Sequence, residues 1–228
     1  MTPADLTSDI DRYADARNNM VDSQLRPNKV TDPRITGAMR RLPRERFLPP
    51  NLRHLAYVDE DVPLGNDRVL MEPMVIARLI QLAAPMAGER ALVVAAGVGY
   101  GAAVLSACGP RVTALEEDPR LVELARGALS ALAPEINVVA GAIAAGWPSE
   151  APYDVILIEG AVHAIPDAIG RQLRVNGGRL VTVLRNNGGR TSSAVLAEAT
   201  SMGLRPQPMF DCATPDLPSL RPAPVFEF

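Results

Sequence analysis

Arg90-Ala91-Leu92-Val93-Val94-Ala95-Ala96-Gly97-Val98-Gly99-Tyr100-Gly101-Ala102-Ala103-Val104-Leu105 is the stretch on which the fold turns. An apolar run of strand length, 91–95, passes directly into a small-residue turn, 95–99, and then into a helical segment over 100–107. A strand covered on both faces reads as a continuous apolar run rather than an alternating one. Small residues at its carboxyl end let a ligand approach the backbone where the next helix presents its N–H groups. An isolated Gly-x-Gly also serves as a plain strand-to-helix turn, so its meaning depends on the surrounding chain.

Downstream, further short apolar runs at 112–115, 136–139, 155–158 and 179–183 alternate with helical segments. Asp118-Pro119 opens the helix over 120–132 with an N-cap and an N1 proline, another helix is expected over 166–173, and Gly177-Gly178 closes it. This alternation predicts an α/β fold, a Rossmann-like doubly wound and mostly parallel sheet. A last helix is expected from Ser192 to Gly203, then a proline-rich stretch over 206–224 and a strand-like ending over 225–228. Upstream, 10–46 reads as helices broken at Pro27 and Pro33, with Ile35, Met39 and Leu42 at helical spacing. A structured loop follows over 48–73, then a helix over 74–84. The chain divides accordingly into a helical N-terminal cap with a substrate loop, 1–84, and a cofactor-binding core, 85–228.

The composition narrows the function classes. A chain of 228 residues, 47% hydrophobic, is long enough to bury a full core. A formal charge of −3 and 4% aromatic residues argue against a nucleic-acid partner. Residues 1–24 show no basic start followed by an apolar core, and no apolar run approaches the ~20 residues that span a bilayer, so no membrane partner and a cytoplasmic location are expected. Cys108 and Cys212 lack ligand spacing, which argues for packing roles and against a metal or disulfide framework.

Glu116 ends the strand after the glycine turn, about 20 residues on, where an acid can accept both hydroxyls of a ribose. Its plainer reading is a solvated acid favouring a helix N-terminus together with Glu117 and Asp118. A dinucleotide site would place this strand near the chain start with a third glycine. Here ~90 residues precede it and Ala102 takes the third-glycine position, which tilts the reading toward a methyl donor while the spacing itself fits either cofactor.

Met20-Val21-Asp22-Ser23-Gln24-Leu25-Arg26, Val30-Thr31-Asp32-Pro33-Arg34 and Pro43-Arg44-Glu45-Arg46-Phe47-Leu48-Pro49 resemble the N-terminal region of protein-L-isoaspartate O-methyltransferases. The likeness continues through Ala56-Tyr57, Pro63-Leu64-Gly65, Glu72-Pro73, Gly97-Val98-Gly99-Tyr100, Glu116, Gly146-Trp147-Pro148, Tyr153-Asp154 and Gly177-Gly178-Arg179-Leu180. The resemblance implies a class I methyltransferase fold with S-adenosylmethionine as cofactor. It places that cofactor on Ala95, Ala96, Gly97, Val98, Gly99, Glu116, Glu117, Ala142 and Ile143, and the acceptor against Leu70, Met71 and Glu72. The implied acceptor is the α-carboxylate of an isoaspartyl residue in a damaged protein or peptide.

Departures from the family pattern cluster at the site. The acceptor loop, usually Thr-Ile-Ser-Gln-Pro, reads Val69-Leu70-Met71-Glu72-Pro73 here; the acid before the glycine loop is Val93, its first glycine is Ala95, and the adenine-side acid is Ala142. Glu159 and His163, expected just past the fourth core strand, suit an acceptor that needs a proton removed, although a surface role is the plainer one for His163. An ionised carboxylate needs no general base, so no catalytic residue is assigned. His54, Tyr57 and Asp59 read as structured-loop residues, and Arg44 and Arg46 as exposed or ion-paired. Three functions stay open: isoaspartyl methyl transfer, methyl transfer to another acceptor, and cofactor binding or protein interaction without catalysis. Phe226-Glu227-Phe228 is a candidate edge for a homodimer.

Overall fold

The computed structural model describes residues 3–186 and 192–222. α1 (Pro3–Met20) runs into a π-type turn, Val21–Leu25, and the chain turns at 26–29, next to Pro27. α2 (Pro33–Arg41) starts at Pro33 rather than breaking there, because Asp32 accepts the Arg34 backbone N–H and the proline fills N1. β1 (Val62–Gly65) and β2 (Arg68–Leu70) form an antiparallel hairpin, and α3 (Pro73–Ala83) follows. The core then runs β3 (Arg90–Val94), α4 (Tyr100–Ser106), β4 (Arg111–Glu116), α5 (Pro119–Leu132), β5 (Asn137–Ala140), β6 (Val155–Val162), α6 (Asp167–Gly170), β7 (Arg179–Arg185), β8 (Ser192–Thr200) and β9 (Gly203–Cys212).

These strands make a seven-stranded sheet in the order β5-β4-β3-β6-β7-β8-β9. It is parallel from β5 to β7 and antiparallel from β7 to β9. Alternate residues of one strand feed opposite sides of the sheet. Ala91 and Val93 join one apolar cluster with α3 and α4 residues such as Leu79 and Val104, whereas Leu92 and Val94 join another with Ile156, Ile158 and Leu180. Burial of both faces is why the strands read as unbroken apolar runs. The strand order reverses at β3, so the crevice at its carboxyl end is where a doubly wound sheet receives a ligand.

The expected helix from Ser192 to Gly203 is instead the strand β8. Its Ala, Leu and Glu residues favour a helix locally, but pairing with β7 on one side and β9 on the other overrides that preference. β9 runs into the expected proline-rich stretch as the outermost strand among the described residues, where Pro206 and Pro208 lack the N–H groups that an added strand would need. The expected helix over 166–173 contracts to the single turn of α6, and the strand-like ending over 225–228 lies outside the described residues.

The turn after β3 uses left-handed backbone at Ala95 (φ 58°), Gly97 (φ 57°) and Gly99 (φ 89°). A Cβ at Gly99 would lie 2.7 Å from a methyl carbon of Leu129 on α5. Gly99→Ala therefore combines backbone strain with overlap and should lower stability by roughly 2–3 kcal/mol. Ala95→Gly should raise it by up to ~1 kcal/mol, so urea midpoints of the two variants should move in opposite directions.

Candidate cofactor and acceptor site

The glycine turn and the end of β4 meet at one carboxylate. Glu116, fully buried, accepts the Gly97 backbone N–H on Oε2 at 2.7 Å, and the Glu117 and Asp118 N–H groups on Oε1 at 2.9 and 3.0 Å. The guanidinium of Arg68, from β2, completes the set, with Nη1 2.7 Å from Oε1 and Nη2 2.8 Å from Oε2. The same Nη2 also donates to the Ala95 carbonyl at 2.9 Å. Both members of this pair are withdrawn from water, with side-chain exposures of 6% and 0%. Removing one partner of such a pair typically costs about 3–5 kcal/mol.

The rest of the expected cofactor surface is covered in the same way. Ala95, Ala96, Gly97, Val98, Gly99 and Ile143 are all buried, while Ala142 is exposed. Glu117 is held between the Ile143 N–H, at 3.3 Å, and the hydroxyl of Ser219. Leu217, two residues earlier on a strap over 213–222, is buried in one cluster with Ala95, Ile143 and Ile158. The strap is anchored by Thr214 Oγ1 to Asp61 at 2.9 Å, by backbone bonds between Ala161 and both Pro215 and Leu217, and by Arg221 to Asp67 at 3.1 Å.

On the side expected to face the acceptor, Leu70 and Met71 are buried, and Arg44 is fully buried rather than exposed or ion-paired. Arg44 donates to the carbonyls of Ala56 and Met71, both at 2.7 Å, and its guanidinium lies 4.7 Å from the Tyr100 ring centre. It thereby clamps the loop around Met71 to α4, and nothing in a linear sequence marks those carbonyls as its partners. Glu72 is half-buried at the start of α3 and makes no side-chain cap bond. Burial, reinforced by Asp59, Asp61 and Glu60, pushes its carboxyl up to about 7.

Glu159 lies inside β6, not past it, and a Cβ added at Gly101 would stand 2.2 Å from its Oε1. Oε1 has no hydrogen-bond partner among the described residues. Burial raises the Glu159 carboxyl to about 8; nearby Arg68 and Arg44 oppose the rise and Glu116 adds to it. His163 stands apart, partly exposed, with Nε2 3.5 Å from Asp216, on a separate cleft of about 690 Å³ shared with Ile165, Arg171 and Leu204. Of the expected acceptor residues the structure therefore brings together Leu70, at the end of β2, with Met71 and Glu72 in the link to α3, and leaves His163 elsewhere. Both cysteines are packing residues, Cys108 buried and Cys212 half-buried, with thiols raised to about 11 by burial.

The model of the protein-L-isoaspartate(D-aspartate) O-methyltransferase family matches residues 15–200. The chain belongs to this family. A protein-L-isoaspartate O-methyltransferase of Methylorubrum populi is 40% identical over 176 residues, 77% of this chain and 82% of the relative. One from Methanoregula boonei is 35% identical over 184 residues, 80% of this chain and 83% of the relative. Among solved structures, a protein-L-isoaspartate O-methyltransferase superposes with a TM-score of 0.76 at 24% identity, covering 90% of this chain and 67% of the other. A Plasmodium falciparum structure, titled as a candidate enzyme of this kind in complex with S-adenosyl-L-homocysteine, gives 0.74 at 18% identity, covering 89% and 98%. The fold is thus that of a class I methyltransferase, and S-adenosylmethionine is the family's cofactor.

The turn geometry of the family's donor loop fits that cofactor at Gly97, where a Cβ would meet nothing nearer than a Leu64 methyl carbon at 3.9 Å, whereas the space beside Gly99 is taken by Leu129. The ribose acceptor does not fit as it stands. Arg68 and three backbone N–H groups engage both oxygens of Glu116, and Arg68 fills the approach to it. Sequence reasoning missed Arg68, Arg44 and the strap; the one available signal was an arginine two residues ahead of Leu70 in an otherwise apolar strand.

A carboxyl whose folded pKa lies above its unfolded value binds an extra proton in the folded state, so stability falls as pH rises through that window. For Glu159 the window runs from its ordinary value of 4.5 to about 8. Glu159→Gln should therefore gain on the wild type between pH 5 and pH 8, with the difference in melting temperature growing by roughly 5–10 °C. A gap that stays constant with pH would mean that Glu159 is ionised in the fold.

Proposed function

We propose that the chain transfers the methyl group of S-adenosylmethionine to the α-carboxylate of isoaspartyl residues in damaged proteins or peptides, as a repair step in the cytoplasm. The observation that carries this reading is the family match over residues 15–200, which spans the donor loop, the acceptor loop and the strands between them. In this reading residues 1–84 form the acceptor-facing cap and 85–228 the donor-binding core. No helix among the described residues is long and apolar enough to cross a membrane, and the charge of −3 gives no electrostatic hold on nucleic acid.

S-adenosylmethionine supplies, when bound, a methyl group on a sulfonium. An α-carboxyl group is ionised at neutral pH, with a pKa near ~3.5, so the chain has no proton to remove. Its residues contribute placement and exclusion of water instead. Arg44 holds the acceptor loop through the Met71 carbonyl, and Asp61 fixes the same loop by accepting the Glu72 N–H at 2.7 Å. The Glu72 carboxyl repels an anionic acceptor when ionised and does not when protonated. With its pKa at about 7, Glu72 becomes neutral as the pH falls through that value.

KM for an isoaspartyl peptide should accordingly fall several-fold between pH 8 and pH 6, and Glu72→Gln should flatten that dependence. A labelled-methyl assay measures both. The acidic rim of Asp59, Glu60, Asp61 and Glu72 specifically favours a second reading, a cationic or neutral acceptor. The double variant M71S/E72Q separates the two: a gain on isoaspartyl peptide supports the carboxylate acceptor, and no gain in a protein that binds the cofactor supports another one.

A further inference from the structure

We propose that Arg68 is an internal competitor of the cofactor, holding the ribose position on Glu116 so that the nucleoside binds only by displacing the guanidinium. The inference rests on the reading that this cleft takes S-adenosylmethionine. A ribose offers two neighbouring hydroxyls to the two oxygens of a carboxylate. Arg68 offers two parallel N–H groups to the same oxygens at 2.7 and 2.8 Å, and a charge that hydroxyls lack. Its third bond, to the Ala95 carbonyl, carries the guanidinium across the first position of the donor loop.

Arg68 is not a side chain that has drifted in from solvent. β2 carries it, and the β1–β2 hairpin lies over the donor loop, where a Cβ at Gly97 would be 3.9 Å from a Leu64 methyl carbon. Arg120 of α5 grips the hairpin through the Leu64 carbonyl at 2.7 Å, and the strap grips its tip through Arg221 and Asp67. Leu217 and Ser219 of that strap cover the other end of the cleft, against Ile143 and Glu117. The nucleoside cleft is thus closed from both ends by the chain itself. Arg68 is the only one of these groups that makes the bonds a ribose would make.

The test is calorimetric titration of the full chain with S-adenosylhomocysteine, comparing the wild type with Arg68→Gln and Arg68→Lys. Glutamine leaves Glu116 available to the ribose and should tighten binding at least tenfold. Lysine keeps the charge but loses the two-pronged geometry and the Ala95 bond, so it should tighten binding by about threefold. A wild type that fails to bind beside a glutamine variant that binds is the same result in a stronger form. Equal affinity in all three proteins overturns the competition and leaves the cofactor reading intact, whereas no binding by any of them overturns both. If the glutamine variant does not give a cooperative melt, the lysine variant decides: affinity no tighter than wild type overturns the proposal.

Discussion

A carboxylate withdrawn from water must recover its lost hydration from fixed donors, and Glu116 does so with groups from three parts of the chain. Gly97 brings the donor loop, Glu117 and Asp118 bring the start of α5, and Arg68 brings the β1–β2 hairpin. Five hydrogen bonds converge there on one carboxylate at the ends of the parallel strands β3 and β4. The β1–β2 hairpin is joined there to the turn after β3, and for that reason the hairpin cannot move relative to that turn without disturbing Glu116.

The parallel half of the sheet was legible because its signal is local. Strands buried on both faces announce themselves as apolar runs, and Asp118-Pro119 or Asp32-Pro33 mark helix starts by chemistry confined to neighbouring residues. The antiparallel half was not legible. Ser192–Thr200 carries residues that suit a helix and becomes a strand only because β7 and β9 flank it. The prolines of Gly203–Cys212 argue against a strand and are tolerated because β9 is the outermost strand among the described residues. Both misreadings have one cause, the dominance of long-range pairing over local preference at the edge of a sheet.

At the site the division is similar. Gly97, Gly99 and Glu116 were readable from spacing, since a turn after a buried strand and an acid at the end of the next are neighbours by topology. Their partners were not, because Arg68 lies 48 residues from Glu116 in sequence and Ser219 lies 102 from Glu117. Arg44 shows the same limit from the other side. An arginine between a proline and a glutamate reads as a surface residue, yet its stem and head are enclosed by Tyr100 and two carbonyls.

The closure also gives the altered donor loop a physical meaning. Ala95 in place of glycine carries left-handed backbone at φ 58° and the strain that goes with it. Its methyl group is buried in the apolar cluster that contains Leu217, Ile143 and Ile158, so part of that strain is offset by apolar burial. Ala95 thus belongs to the apolar end of the cleft, where Leu217 of the strap lies in the same cluster, as Arg68 belongs to its polar end.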